Sequence, residues 1–305
     1  MYAVASPAAE AGRSRPPARP ARIPLGLARV THHRFGRGGP FGWDDHIYFP
    51  DLMRSYGIEV DAERFAGRRN SFMDMTTAIA ARLHPYDDRF DVAVLTGVTP
   101  DSQPGYPMCH LSNYVAEAGL SFAVFDQGVV APFTALYTLA STVWAVRATR
   151  GLLLVADQAT LLHDRPVPER LRVGHDSAVL VVLDERGELG SMEVPRSWSV
   201  TGRELTGCLG RALREAAAGG RPVDVLVAGR GLGGWLPDPP PVPELRWSAP
   251  GLPATGVWAE LAAGLPDWAG RGARVMLADF DERQRRLSAC AVDVAPARRA
   301  GDRVG

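Results

Sequence analysis

The stretch FDQGVVAPFTAL, residues 125–136, joins the end of an apolar strand to a long apolar helix through a bend at Gly128. A strand, a tight turn and a helix form the geometry with which many enzymes expose a nucleophile. A serine or cysteine is expected at such a bend, but the sequence has Val129, Val130 and Ala131 there. The stretch therefore predicts the shape of a nucleophile elbow without its reactive side chain.

The composition indicates a globular chain with few clues to its partners. Its 305 residues are 46% hydrophobic and carry a formal net charge of +0, so the chain can bury a large core and lacks the basic excess of a nucleic-acid-binding protein. All 34 cationic residues are arginine, which excludes a lysine Schiff base. The three cysteines are odd in number and far apart, which argues against a disulfide framework or zinc site and favours a cytoplasmic protein.

Apolar strand and helix patterns alternate along most of the chain, which predicts α/β layering. Residues 1–22 are rich in Ala, Pro and Arg and predict a disordered tail. We predict one unit over residues 23–305, made of two similar halves at about 23–165 and 166–305. No continuous apolar run reaches about 18 residues, so the sequence predicts no membrane span.

Two local patterns support the α/β interpretation, and the first of them also indicates a duplication. SAVLVVLDERGELGSMEV (177–194) and RVMLADFDERQRRLSACAVDV (274–294) each contain two apolar runs around a short charged turn, which predicts an antiparallel hairpin at the end of each half. RELTGCLGRALREA (203–216) places leucines on one helical face and charges on the other, as expected for a helix that covers a sheet.

Four segments, in order, resemble ketoacyl synthase III and its acyltransferase relatives. DVAVLTGVTPDSQPGYP (91–107) resembles a strand and Thr-Pro-Asp loop of that family, and FAVFDQGVVAPFTALYTLA (122–140) resembles the strand and helix around its catalytic cysteine. HDSAVLVVL (175–183) resembles its Gly-Asp-Gly-Ala-Gly-Ala hairpin, and the segments within 251–280 resemble its final helix and strand. The resemblance covers roughly residues 23–295 and implies a thiolase-like five-layer α/β fold of two similar halves with mixed sheets.

The resemblance also locates three losses in the catalytic set. The family uses a Cys that takes the acyl chain and a His and an Asn that stabilise the developing negative charge. The Cys position falls on Ala131, the His position on Gly229 or, with a slip of one residue, Arg230, and the Asn position on Pro253 or Ala254. Because none of these side chains supplies the missing chemistry, acyl transfer by the covalent route is not expected.

Other residues of the resembling segments are candidates for a remaining pocket. His110 begins a helix and is either a general base or a buried structural histidine. Cys109 is either a thiol nucleophile or a small buried residue. The resemblance places Tyr106 at the aromatic that reaches across the family's dimer into the partner's acyl pocket. The predicted pocket residues are Tyr106, Cys109, Ala131, Pro132 and Phe133.

Two polar clusters suggest other chemistry. The consecutive residues Asp44, Asp45 and His46 would need a further ligand to bind a metal, so we predict no metal site. His175 and Asp176 form either an oriented base or, as the resemblance implies for the aspartate, part of a turn.

Two classes of function stay open. The first is an enzyme of fatty-acid or polyketide-type secondary metabolism that binds acyl-CoA or an acyl-carrier protein and transfers the acyl group directly, with backbone N–H groups near Ala131 as an oxyanion hole. The second is a non-catalytic protein, either a partner subunit similar to chain-length factors or an acyl-binding protein. The resemblance implies a homodimer, or a heterodimer with a ketosynthase-like subunit, formed through SFAVFDQG (121–128). Neither class requires a cofactor, a nucleic acid or a membrane.

Overall fold

A computed structural model describes residues 21–60, 62–83, 89–105, 107–114, 119–163, 165–217 and 220–297 of the chain. The predicted disordered tail therefore lies outside the described residues, apart from its last two positions.

The chain forms thirteen strands and six α-helices in the described residues. The strands are β1 (Arg22–Arg34), β2 (Gly39–Pro40), β3 (Arg68–Arg69), β4 (Val92–Gly97), β5 (Leu120–Val124), β6 (Arg150–Asp157), β7 (Ser177–Asp184), β8 (Gly190–Glu193), β9 (Arg196–Ser199), β10 (Val225–Ala228), β11 (Glu244–Trp247), β12 (Arg274–Asp281) and β13 (Arg286–Val294). The helices are α1 (Asp45–Arg54), α2 (Phe72–Ala80), α3 (Pro107–Tyr114), α4 (Ala131–Val146), α5 (Gly202–Ala216) and α6 (Gly256–Ala269).

The main sheet repeats one strand order twice. Its first group runs β5-β4-β6-β7-β1, and its second runs β11-β10-β12-β13 followed by β8 and β9. In the first group β4 is parallel to β5 and β6, whereas β7 is antiparallel to β6 and β1. In the second group β10 is parallel to β11 and β12, whereas β13 is antiparallel to β12, β8 and β9. We number the main-sheet strands of each half in chain order and leave out β9. Across the sheet, both halves then have their strands in the order third, second, fourth, fifth, first, as a duplication predicts.

Helices cover both faces of each group of strands. The central core packs α4 and α6 between the two groups, and the alternation of side chains along β4 places Val92 and Val94 in this layer. Ala93 and Leu95 point the other way, toward α2 and α3. A separate outer core packs α5 on the second group. The result is the predicted five-layer α/β arrangement, and the strands buried on both faces explain the nearly continuous apolar runs.

The helix α5 shows how local sequence sets an element. Thr201 and Glu204 form a reciprocal capping box at its start. Leu205, Leu209 and Leu213 are all buried against the sheet, and the remaining charged face is turned to solvent, as the amphipathic pattern predicts.

Only one of the two predicted hairpins forms. β12 and β13 pair in antiparallel register over eight residue pairs, which confirms the C-terminal hairpin. The predicted hairpin over 177–194 is wrong, because β7 and β8 do not pair with each other and instead lie on opposite edges of the long strand β1. The first strand group thus ends at Asp184, later in the chain than the predicted division near residue 165.

One segment, Gly128–Val146, is long and apolar enough to cross a membrane by length and composition alone. In the fold it runs through the central core, where Leu136, Leu139 and Val143 are fully buried between the two groups of strands. The segment is therefore the core helix of this fold.

Candidate functional site

The predicted strand, bend and helix are present at residues 120–146. β5 ends at Val124, and Asp126 and Gly128 both adopt left-handed backbone conformations, with φ of 61° and 56°. A short 3-10 turn over Gly128–Val130 then leads into α4, which has proline in its first turn. The elbow geometry is confirmed, and Ala131, where the resemblance places the cysteine, is the first residue of α4.

The reactive position of the elbow is closed. Ala131 has no exposed surface, and its N–H donates to the carbonyl oxygen of Gly128. The N–H of Val129 donates to Oδ2 of Asp281 at 3.2 Å. These two backbone groups are therefore engaged within the fold, and the oxyanion hole predicted near Ala131 cannot use them.

The two halves hold each other through a matched pair of buried aspartates. Asp281, the last residue of β12, binds the elbow at the start of the first central helix. Asp157, the last residue of β6, accepts hydrogen bonds from Thr255 N at 2.8 Å, from Thr255 Oγ1 at 2.7 Å and from Ala254 N at 3.1 Å, where the second central helix begins. Each half thus anchors the central helix of the other half.

Gly229, where the resemblance places a histidine, has a carboxyl group beside it in the space that a side chain would take. Gly229 follows β10, and its N–H donates to Ala278 O at 2.8 Å. A Cβ atom built on Gly229 would lie 1.9 Å from Cγ of Asp279 on the adjacent strand. The side chain of Asp279 therefore fills the space that any side chain at Gly229 would need.

The carboxyl group of Asp279 is buried and held on one side by backbone. Asp279 is 4% exposed, and its Oδ1 accepts hydrogen bonds from Phe280 N at 2.8 Å and Gly231 N at 3.1 Å. Burial, opposed by these two hydrogen bonds and aided by the nearby charge of Asp281, raises the pKa of Asp279 to about 8. At neutral pH most of this carboxyl group is protonated.

A cavity of about 710 Å³ opens beside the elbow, between the two halves. Three segments form its walls, namely 168–174 between β6 and β7, 230–235 after β10, and 249–253 before α6. Val129 of the elbow, Asp279 and Glu282 complete the lining. The carboxyl ends of the strands of both halves thus converge on one site.

The rim of the cavity carries charges of both signs. Arg170 forms an ion pair with Glu282, and Arg230 donates from Nε to Ser248 O at 2.6 Å. Arg172 is exposed on the same rim. The rim can therefore present cationic groups to an anionic ligand without a buried charge.

None of the predicted pocket residues that the structure describes lines this cavity, since Cys109, Ala131, Pro132 and Phe133 all lie elsewhere. Pro253, at the predicted Asn position, lines the cavity. Pro132 and Phe133 are buried with Ala131 in the central core, where the ring of Phe133 lies 5.5 Å from that of Trp258. Tyr106 and the side chain of His110 lie outside the described residues. Cys109 is exposed on α3, so the prediction that it is a small buried residue is wrong.

Asp279 was missed by the sequence analysis. The available signal was a single acidic residue inside the apolar run RVMLADF, where a strand buried on both faces has no favourable place for an unpaired charge.

The polar cluster near residue 45 is an ion pair. Asp45 Oδ2 accepts from Arg69 Nη2 at 2.7 Å and from Gly42 N at 2.6 Å, and both charged side chains are buried. His46 packs its ring 4.5 Å from that of Phe65. In the part of the chain that the structure describes, no group of three His, Cys, Asp or Glu side chains is placed to hold a metal ion.

The second polar pair, His175 and Asp176, lies at a bend in the irregular segment just before β7. Asp176 accepts from Ala159 N at 2.7 Å and from Asn70 Nδ2 at 2.8 Å, so its carboxylate ties two loops together. Its role is consistent with the turn that the resemblance implies.

We expect the free energy of unfolding to fall as pH rises from about 7 to 8. Asp279 retains a proton in the folded chain over this range, whereas an unfolded aspartate, with a pKa of about 3.9, has lost it. The native state therefore binds more protons, and the slope of stability against pH is negative. Burial lowers the pKa of His32, His33 and His175, which has the opposite effect, but only below about 6.5.

Thermal unfolding followed by circular dichroism at several pH values would measure this slope. Asp279→Asn removes the titrating group and should flatten the decline between pH 7 and 8. An equal decline in both proteins would contradict the assignment to Asp279.

Comparisons with known proteins identify the fold but do not assign the chain to a family. No protein-family model and no curated protein matches the sequence. The structure is similar to that of AbyA1, a tetronic acid condensing enzyme, with a TM-score of 0.64 and 13% identity over 88% of this chain and 100% of that chain. It is also similar to a 3-oxoacyl-(acyl-carrier protein) synthase from Burkholderia xenovorans LB400, with a TM-score of 0.61 and 12% identity over 89% and 94% of the two chains. The acyltransferase ChlB3 gives a TM-score of 0.58 and 14% identity over 89% and 98%.

Proposed function

Because the chain has the thiolase-like fold of the ketoacyl synthase III structures, we propose that it binds an acyl thioester in the cavity between its halves and transfers the acyl group without a covalent cysteine intermediate. The observation that carries this proposal is the cavity itself, which lies at the elbow although Ala131 is sealed. Its volume of about 710 Å³ is within the range typical of small-molecule sites. The names of AbyA1 and ChlB3 support acyl chemistry in secondary metabolism as the setting.

Direct transfer fits a cavity that has a polar group but no protein nucleophile at the elbow. The hydroxyl or amine of an acceptor attacks the thioester carbonyl carbon, the C–S bond breaks, and the acceptor's proton leaves with the thiol. The protein contributes by holding the two reactants together. Arg172 and Arg230 on the rim offer guanidinium groups to the phosphates of coenzyme A or of an acyl-carrier protein.

A second candidate function, that of a partner subunit, is favoured by one exposed surface. β5 is the edge strand of the sheet, and large apolar side chains are exposed on it and on the adjoining helix α4. These side chains are Leu120 at 39% exposed, Tyr137 at 38%, Trp144 at 42% and Val146 at 50%. We propose that this surface binds a second copy of the chain or a ketosynthase-like subunit, as the resemblance implies.

Native mass spectrometry of the purified chain, alone and with octanoyl-CoA, tests these proposals together. We expect a dimer that holds octanoyl-CoA and carries no covalent octanoyl group. Ala249→Trp should prevent binding, because Ala249 lines the cavity. The matched control is Ala263→Trp, which adds the same side chain at an exposed position of α6 outside the lining and should bind normally.

Each remaining outcome has a separate meaning. A covalent octanoyl group on the protein would contradict acyl transfer without an acyl–protein intermediate. A dimer that binds no thioester would contradict the acyl-binding function and support the partner-subunit role. A monomer that binds octanoyl-CoA would contradict the role of the β5 surface.

A further inference from the structure

We propose that Asp279 is the polar group that recognises the ligand in this cavity, and that a hydroxyl at its Oδ2 donates a hydrogen bond to the carbonyl oxygen of the acyl thioester. This inference rests on the proposed function, since it assigns a contact within the same cavity. It adds a specific group, a specific atom and a specific partner on the ligand.

The hydrogen bonds of Asp279 determine which of its two oxygens can donate to a ligand. Oδ1 accepts from the N–H groups of Phe280 and Gly231, at 2.8 and 3.1 Å. When the group is protonated, the oxygen that accepts both N–H donors is its carbonyl oxygen, and the proton resides on Oδ2. Among the described residues no hydrogen bond is made to Oδ2, and the side chain lines the cavity. The free O–H is therefore available to a ligand.

The charged groups around Asp279 leave it without a cationic partner. On its own strand, Asp281 lies two residues away and disfavours a second negative charge. After β10, Arg230 directs Nε to the carbonyl oxygen of Ser248 and is exposed. From the 168–174 wall, Arg170 pairs with Glu282 at the end of β12. In the described part of the chain Asp279 makes no ion pair, and its raised pKa keeps it a donor at neutral pH.

The internal duplication shows that the fold does not need an acid at this place. β6 and β12 each have eight residues, begin with an arginine and end with a buried aspartate that anchors the opposite half. By this alignment the counterpart of Asp279 is Val155, which is fully buried in the central core. A valine satisfies the framework in the first half, so the acid in the second half has a role other than packing.

Three proteins separate this role from a structural one. Asp279→Asn keeps the shape and replaces the O–H donor by an N–H donor that does not titrate. Asp279→Val removes the donor and uses the residue that the fold accepts at the counterpart position. The native chain retains a donor that is lost as pH rises.

Isothermal titration with octanoyl-CoA at pH 7 and pH 9 is the experiment. The native chain should lose about tenfold in affinity between these pH values, since a hydrogen bond contributes about 1.4 kcal/mol. Asp279→Asn should bind as the native chain does at pH 7 and show no loss at pH 9. Asp279→Val should bind about tenfold more weakly at both pH values.

The outcomes separate this inference from the function on which it rests. If the native chain binds octanoyl-CoA and both variants share its affinity and pH profile, the role of Asp279 is overturned and the acyl-binding function stands. If the native chain binds no octanoyl-CoA at either pH, the acyl-binding function fails and the contact fails with it. Should Asp279→Val not fold, the pH profile of Asp279→Asn still decides.

Discussion

Gly229→His should destabilise the folded chain by about 3 kcal/mol, although it restores the residue type that the ketoacyl synthase III resemblance places there. Cβ at this position would lie 1.9 Å from Cγ of Asp279, and both residues are buried, so neither can move into solvent. Urea denaturation followed by tryptophan fluorescence would measure the loss as a lower midpoint. The same clash predicts that Ala131→Cys, Gly229→His and Pro253→Asn together do not rebuild a working catalytic set.

Two further proteins make this prediction specific. Combining Gly229→His with Asp279→Gly frees the contested space and should recover part of the lost stability, as coupled neighbours do in a double-mutant cycle, although it leaves the N–H groups of Phe280 and Gly231 without this acceptor. Gly207→Ala is the control, because a Cβ there meets nothing within 4 Å and an alanine favours the helix. If the double variant is no more stable than Gly229→His alone, the clash with Asp279 is not the cause.

Asp157→Ala should lower the free energy of unfolding by about 3 kcal/mol. Its carboxylate accepts from Ala254 N, Thr255 N and Thr255 Oγ1 at the start of α6, and all of these groups are buried. An alanine leaves several buried donors unpaired, each at a cost of about 1–3 kcal/mol. The same urea denaturation would measure the change.

An exposed aspartate provides the matched control. Asp51 pairs with Arg54 at 3.1 Å on the surface of α1, where its side chain is 63% exposed. Asp51→Ala should change stability by no more than about 0.5 kcal/mol, because exposed ion pairs contribute little. Similar losses for Asp51→Ala and Asp157→Ala would show that the hydrogen bonds to α6 are not what stabilises the chain.

Local pattern and resemblance predicted most of the fold. Strands such as β4 and β6 are buried on both faces, and their nearly continuous apolar runs indicate that burial. The elbow was predictable because Gly128 takes a left-handed conformation that other residues rarely adopt. The α5 helix was predictable from the spacing of its leucines.

The hairpin over 177–194 failed for a physical reason. Two apolar runs with a short turn between them predict that the chain reverses its direction. They do not predict which strand each run pairs with. β1 has thirteen residues, enough to pair with β7 on one edge and β8 on the other. β7 and β8 therefore form their hydrogen bonds with β1, which is distant from them in the sequence, and not with each other.

The resemblance located the elbow, but none of the predicted pocket residues that the structure describes lines the cavity. The resemblance placed Gly229 and Pro253 near one another, and the cavity lies where the segments that carry them meet the elbow. Asp279 escaped notice because its meeting with Gly229 depends on the register between β10 and β12, which no local pattern encodes. Whether His110 acts as a base stays a prediction, since its side chain lies outside the described residues.

The exchange of aspartates between the halves has the form of a contact across a twofold axis. Asp157 of the first half accepts hydrogen bonds at the start of the second half's helix, and Asp281 of the second half accepts one from the first half's elbow. Isologous dimers are joined in this reciprocal way, with the same surface used twice. The single chain therefore has, inside its own core, the reciprocal contact of a twofold interface, and the start of each half's central helix is hydrogen-bonded by the other half.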